Sequence, residues 1–392
     1  MAIREVVGEA VDRIGGEPVS ARMARKAPLR HLDPTLLLVT VLLTAYGAVM
    51  IYSATEADQL AAGLDPALFP KRQIAYAVVA SVVLVVAGLF DYRYLRAFAP
   101  LFYLGALVGL ILVLTPLGVN TAGASRWFDV GSFRVQPSEI AKIAVIIGVA
   151  AYLAERKGEV RVRDIAVCCL IVLMPMVLIY LEPDLGTMMV FIAVTSALFL
   201  VGGAKIRHFL LLGSLALVAV FTVLQMGFLE DYQLQRITTF LDPNPNVQSE
   251  GYNQYQAEIA IASGGINGKG IQEKNTQTTL DFIPEQHTDF IFTAVGEQLG
   301  FVGSAALLGL FSFLLWRALR IAAMARDLFG TLLACGIVAM WAFQVFVNVG
   351  MTMGVMPITG IPLPFLSFGG SSLLTNFACV GILHNIHMRR FL

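Results

Sequence analysis

The residues able to do chemistry in this chain stand in short polar clusters set against long apolar runs. The densest cluster closes the polar stretch from Gly227 to Thr288, at Pro284-Glu285-Gln286-His287-Thr288-Asp289-Phe290. A carboxylate such as Asp289 can take a proton from a hydroxyl as that hydroxyl attacks, provided it lies within hydrogen-bond reach. Burial against apolar helices raises a carboxyl pKa toward the working range. Glu285 and His287 lie one turn upstream and complete an acid/base group. The same carboxylate could serve as one ligand of a divalent cation, Mg or Mn, that neutralises phosphate charge. Thr288 and Asp289 also fit the cap of a following helix.

Three further clusters carry charge where it is costly. Gln136-Pro137-Ser138-Glu139-Ile140-Ala141-Lys142 puts Glu139 and Lys142 three residues apart, on one helix face. They make either a buried ion pair or a cavity wall in which Lys142 holds an anionic group. Glu182-Pro183-Asp184-Leu185-Gly186-Thr187 is a short connector in which Asp184 caps the next helix and could also join a site. Ala124-Ser125-Arg126-Trp127-Phe128, followed by Arg134, places guanidinium groups suited to phosphate oxygens beside an interfacial aromatic residue. Arg72, with Lys71, invites the same assignment. Ser371 falls in Pro364-Phe365-Leu366-Ser367-Phe368-Gly369-Gly370-Ser371-Ser372, the signal of a broken helix. Non-helical backbone at that depth must line protein or water.

The elements that must position these groups are membrane helices. Hydrophobic residues make up 57% of the chain and charged residues 14%, against about 25% charged in soluble domains. Zero net charge gives no case for nucleic acid, and the four cysteines all lie in apolar runs, with no disulfide or metal spacing. The fold class is an all-α polytopic membrane protein. About ten spans of ~20 residues are expected near 35–54, 73–90, 97–115, 138–154, 165–181, 185–202, 207–226, 289–316, 329–351 and 364–385. Residues 1–34 form a polar, basic tail, and 35–388 form the membrane domain, which includes the large loop 227–288.

Lysine and arginine concentrate on alternate connectors, from the N-terminal tail to Arg389 and Arg390. The positive-inside rule then puts both termini in the cytoplasm and the 227–288 loop, with all four clusters, outside. Within the loop, an uneven apolar stripe from Leu229 to Leu241 and a helical spacing of Tyr252, Tyr255, Ile259 and Ala262 predict two short interfacial helices. Residues 264–279, rich in Gly, Asn, Gln and Thr, are expected to form a mobile loop, and the whole segment a lid over a site shared with the spans.

Taken together and in order, Ala124-Ser125-Arg126-Trp127, Gln136-Pro137-Ser138-Glu139 with Lys142, Glu182 to Thr187, Pro284 to Phe290 and Pro364 to Ser372 resemble the SEDS family (shape, elongation, division and sporulation) over about residues 33–390. Asn348-Val349-Gly350-Met351-Thr352 and Met356 to Phe365 resemble its rod-elongation branch rather than its division branch. Phe368 stands where members often have tyrosine. The resemblance implies a peptidoglycan glycosyltransferase that polymerises lipid II on the outer face of the bacterial cytoplasmic membrane, releasing undecaprenyl pyrophosphate. It implies Asp289 as the catalytic carboxylate, Trp127 as essential, and Glu139, Lys142 and Asp184 as cavity lining. It implies a class B penicillin-binding protein as the crosslinking partner, together with other elongation-complex membrane proteins. No organic cofactor is expected. A lipid II flippase would need a polar path into the cytoplasmic half, which the sequence lacks. A non-catalytic scaffold would leave the outward cluster without a use.

Overall fold

The computed structural model describes residues 32–121, 124–131, 133–156, 160–226, 250–271, 276–278, 283 and 285–390. Most of the N-terminal tail and the 229–241 stripe lie outside the described residues. The helices are α1 (Pro34–Ala61), α2 (Leu68–Leu89), α3 (Tyr92–Ala97), α4 (Ala99–Val113), α5 (Pro137–Ala154), α6 (Val162–Leu181), α7 (Leu185–Val201), α8 (Ile206–Met226), α9 (Glu250–Gly264), α10 (Ile291–Ala323), α11 (Leu328–Thr352) and α12 (Gly370–Met388). Six of them, α1, α2, α5, α6, α10 and α11, are long and apolar enough to cross a membrane, and α4, α7 and α8 contain shorter apolar helices. The tenth expected span is α12, whose Ser, Asn and His residues lower its hydropathy but which is almost wholly buried. Large apolar side chains such as Val82, Leu101, Leu217 and Phe221 face outward, an exposed apolar surface that calls for lipid. The chain is an integral membrane protein.

Inside, α5, α7, α11 and α12 form the centre. Trp341 on α11 is fully buried and donates its indole N–H to Asn376 Oδ1 on α12 at 2.7 Å. Asn385 ties α12 to the α2–α3 corner, donating to Gly88 O at 2.6 Å and accepting from Tyr92 N at 2.9 Å. At the end of the bundle holding the termini, Asp33 caps α1 through Thr35 N and Leu36 N and accepts from Arg317 Nε of α10.

The structure corrects four expectations. A small antiparallel sheet, β1 (Val119–Thr121), β2 (Ala124–Val130) and β3 (Phe133–Val135), occupies the α4–α5 connector. The eighth expected span, near 289–316, becomes α10 and runs on to Ala323, with Arg317 paired to Asp33 and Arg320 over the Trp316 ring. The last helix begins only at Gly370, after irregular backbone whose Phe365 has φ 64°.

The fourth correction concerns the loop. The helix expected around Tyr252 to Ala262 is α9, but it packs on α10, and the described residues of 264–279 are fastened there too. Gly300 has φ 63° and breaks α10. The break leaves helix amides and carbonyls to satisfy, and residues 265–270 satisfy them. Phe301 N and Val302 N donate to Gly265 O and Ile266 O at 2.9 and 3.1 Å. Lys269 N and Gly270 N donate to Glu297 O and Gln298 O at 3.0 and 2.9 Å. Gly300 has no room for a Cβ, which would meet Gly268 N and Ile266 O.

Candidate active site

The four polar clusters come together at one end of the bundle. Asp289 closes a turn in which Thr288 N and Asp289 N both donate to Glu285 O at 3.1 Å. Glu285 itself adopts a left-handed conformation, φ 52°, with its side chain exposed. Asn348 of α11, fully buried, donates to Asp289 O and to Ile361 O, both at 2.8 Å. It therefore joins the 285–289 turn to the irregular 353–369 segment. The half-buried Asp289 carboxylate lies against Gly360, where a Cβ would fall 3.3 Å from Oδ2 and where φ is 69°. Only glycine meets both conditions without strain.

The Glu182–Thr187 connector packs on the other side of that segment, since a Cβ on Gly186 would meet Thr359 O and Ile361 Cγ1 at 2.7 Å. Asp184 is the cap the sequence predicts: its carboxylate accepts from Thr187 N at 3.0 Å and Thr187 Oγ at 2.8 Å. Glu182 beside it is fully buried, and neither carboxylate oxygen finds a partner among the described residues. This connector lies between spans, and burial, reinforced by the Asp184 charge and opposed by Arg126, pushes the Glu182 carboxyl up to about 8.

Arg126 does not present itself as a free anion clamp. Its guanidinium donates to Glu182 O and Pro183 O, both at 2.6 Å. The reason is a bulge. Val119 pairs with Trp127 and Asn120 with Ser125, so Arg126 is the extra residue of β2, and bulges re-aim a side chain. Half-buried Trp127 follows it on the same strand. The sheet is fastened at its far end by Ser371, whose hydroxyl donates to Arg134 O at 2.6 Å and accepts from Gln136 N at 2.9 Å. Both ends of that hydroxyl are therefore engaged by backbone. Arg72 is exposed at the start of α2, and Lys71 pairs with Asp65.

Glu139 and Lys142 form an ion pair at 2.7 Å, with side chains 4% and 3% exposed. The pair is incomplete as a hydrogen-bonding unit. Glu139 Oε2 and the neighbouring Ser138 Oγ have no partner among the described residues. An ammonium carries three donors, and only one, to Glu139 Oε1, is seen among the described residues. His287 packs between Phe69 and Phe368, with ring centroids 4.8 and 5.6 Å away, and stands 4.0 Å from Glu285. Phe368 also meets Tyr76, which meets Phe133 of β3 edge-on, so an aromatic row links the 285–289 turn to the sheet. Among the described residues no three His, Cys, Asp or Glu side chains form a metal-binding group.

Three contributors gain a role in the site only from the structure. Glu297 is a fully buried carboxylate inside α10. Its charge within an apolar run is the signal that would have found it. Asn348 is buried and bridges two segments, yet as an amide in an apolar helix it carries no charge to flag it. Gln73 of α2 donates to Ser367 O at 3.2 Å and accepts from Gly369 N at 3.4 Å, holding the approach to α12.

Comparison with known proteins agrees with this geometry. The family described as "Cell cycle protein", comprising FtsW, RodA and SpoVE, matches residues 34–391. The chain is 38% identical over 361 residues to the peptidoglycan glycosyltransferase MrdB of Escherichia coli K12, covering 92% of this chain and 94% of that one. It superposes with TM-score 0.77 and 31% identity on a chain from a study of how a peptidoglycan synthase complex coordinates polymerization and crosslinking, covering 92% and 98%. It also superposes on the rod shape determining protein RodA of Thermus thermophilus, with TM-score 0.68 and 30% identity over 92% and 98%. With the match running from the cap of α1 past the end of α12 and taking in every element of the site, the chain belongs to the FtsW, RodA and SpoVE family.

Proposed function

We propose that this end of the bundle polymerises lipid II, with Asp289 as the catalytic base. The chain is a peptidoglycan glycosyltransferase of the cell-shape branch. Asp289 removes the proton from the 4-hydroxyl of the acceptor N-acetylglucosamine. The oxygen attacks the anomeric carbon of the donor N-acetylmuramic acid with inversion, and undecaprenyl pyrophosphate carries away the bonding electrons. The observation that supports Asp289 most is its setting: its backbone is held from both sides by Asn348 and Glu285, and its carboxylate is laid over a side-chain-free Gly360. Fixed geometry of this kind is what general base catalysis needs.

Lys142, Glu139, Trp127 and Asp184 are proposed to meet the head group and diphosphate, with the unfilled donors of Lys142 facing anionic oxygen. A divalent cation belongs to the same proposal. Asp289 would supply one carboxylate and the diphosphate the other ligands, the usual pattern for magnesium. The basic-residue count supports cytoplasmic termini and an outward-facing site. A class B penicillin-binding protein is the proposed crosslinking partner, in line with the complex to which the fold is similar.

The test is polymerisation of purified lipid II by the full chain with its partner. Asp289→Ala is expected to lose glycan product by at least ~10²-fold, the scale of general acid–base catalysis, while keeping its melting temperature. Retained polymerisation would remove Asp289 from the role. Lipid II scrambling across vesicles without product would favour a flippase.

A further inference from the structure

Glu297 lies two turns beyond Asp289 on α10, fully buried, and reaches no part of the proposed reaction centre itself. It is instead the point on which the outer loop converges. Oε1 accepts from Lys269 Nζ and Gln277 N, both at 2.8 Å. Oε2 accepts from Thr278 N at 2.9 Å and Thr278 Oγ at 2.7 Å.

The direction of these bonds matters more than their number. A carboxylate has no proton to give, so the Thr278 hydroxyl must donate to it and can only accept from its other side. The group on that side is Gln286 Nε2, at 3.2 Å. The same nitrogen donates to Thr293 Oγ at 2.9 Å, whose own proton goes to Phe290 O at 2.6 Å. Both threonines therefore demand a donor from Gln286, and its amide is locked with the NH2 group inward. Gln286 is buried and belongs to the turn that ends in Asp289. One buried carboxylate thus sets the polarity of a relay running from the loop to the catalytic turn.

We infer that Glu297 is a positioning residue for Asp289. By seating Lys269, Gln277 and Thr278 on α10 it fixes the amide of Gln286 and, through it, the 285–289 turn. Loop seating and base alignment are then one event. The inference rests on the proposal that Asp289 is the base.

The relay can be cut without removing its anchor. Thr278→Val deletes the hydroxyl but leaves both backbone amides and Lys269 on Glu297. It is expected to lower kcat for lipid II polymerisation about tenfold or more, the scale of a displacement near 1 Å, with KM and melting temperature near those of the parent. Thr278→Ser restores the hydroxyl and is expected to restore kcat to within about twofold. Glu297→Gln can donate where the carboxylate only accepts, so it reverses the polarity and is expected to lower kcat further at equal folded fraction. Parental kcat in Thr278→Val, or a loss that serine does not recover, overturns the inference. If Asp289→Ala is inactive while Thr278→Val is unaffected, the positioning role fails and the base survives. If Asp289→Ala is active, the base assignment itself fails.

Discussion

Two glutamates among the described residues are fully buried, and they live opposite lives. Glu297 on α10 has both oxygens filled by loop donors, while Glu182 at the end of α6 has neither filled. The difference separates architecture from site. Where every lone pair is met, a buried carboxylate fixes structure. Where lone pairs stay open, the structure holds polar capacity for something else or keeps the group neutral. Glu139 stands between the two, with one oxygen on Lys142 and one unmet. The unmet atoms of Ser138, Glu139, Glu182, Asn348 and Thr359 belong to the elements that surround Asp289. At the opposite end, Asp33 has its α1 cap and Arg317, and its carbonyl is met by His384 Nε2 at 3.1 Å.

Deleting Glu297 breaks the comparison most sharply. Glu297→Ala strands the Lys269 ammonium and two backbone amides that α10 now covers, and removing one partner of a buried pair costs about 3–5 kcal/mol. Thermal unfolding in detergent is the measure, and a melting temperature equal to the parent's would show that the loop does not depend on it. Lys142→Ala does the same to Glu139, with a similar expected loss. The double change Glu139→Leu with Lys142→Met replaces the pair by apolar volume and is expected to restore stability to within about 1–2 kcal/mol of the parent, yet to abolish lipid II polymerisation. A double variant that is stable and active would make the pair a lock only.

Much of the site was legible because its chemistry comes in charged clusters, and charge in an apolar chain is conspicuous. The motifs that hold Asp289 and Asp184 both pack on the 353–369 segment, and Glu139 and Lys142 pair as their spacing implies. The Asp184 cap follows from its place before Leu185-Gly186-Thr187. What stayed hidden depended on partners distant in sequence. Arg126 fits phosphate and main-chain carbonyls equally well, and only the bulge opposite Asn120 turns it toward Glu182. Ser371 looks like a polar group waiting for a ligand until Arg134 and Gln136 are seen to occupy it. The strands of the small sheet, two of them three residues long, are too short for alternation to declare itself. Gly300 inside an apolar run is indistinguishable from a tolerated helix glycine. Only the arrival of residues 265–270 shows that the helix breaks there, which is why a segment with a loop's composition proves to be part of the packed structure.

Glu182 offers the gentlest way to sharpen the contrast, through pH. Burial raises its carboxyl from the ordinary 4.5 to about 8. Between those values the fold retains a proton that the unfolded chain has released, so the folded state binds more protons and stability falls as pH rises. Below 4.5 both states are protonated and the group contributes no slope; above 8 both are ionised and the penalty of burying the charge is fully present. Glu182→Gln keeps the shape of the neutral acid without its titration. Its melting temperature is expected to match the parent's near pH 5 and to pull ahead steadily toward pH 8, with the gap levelling off beyond. Parallel curves across that range would mean that Glu182 is ionised in the fold and met by a partner, which would place it with Glu297 rather than opposite it.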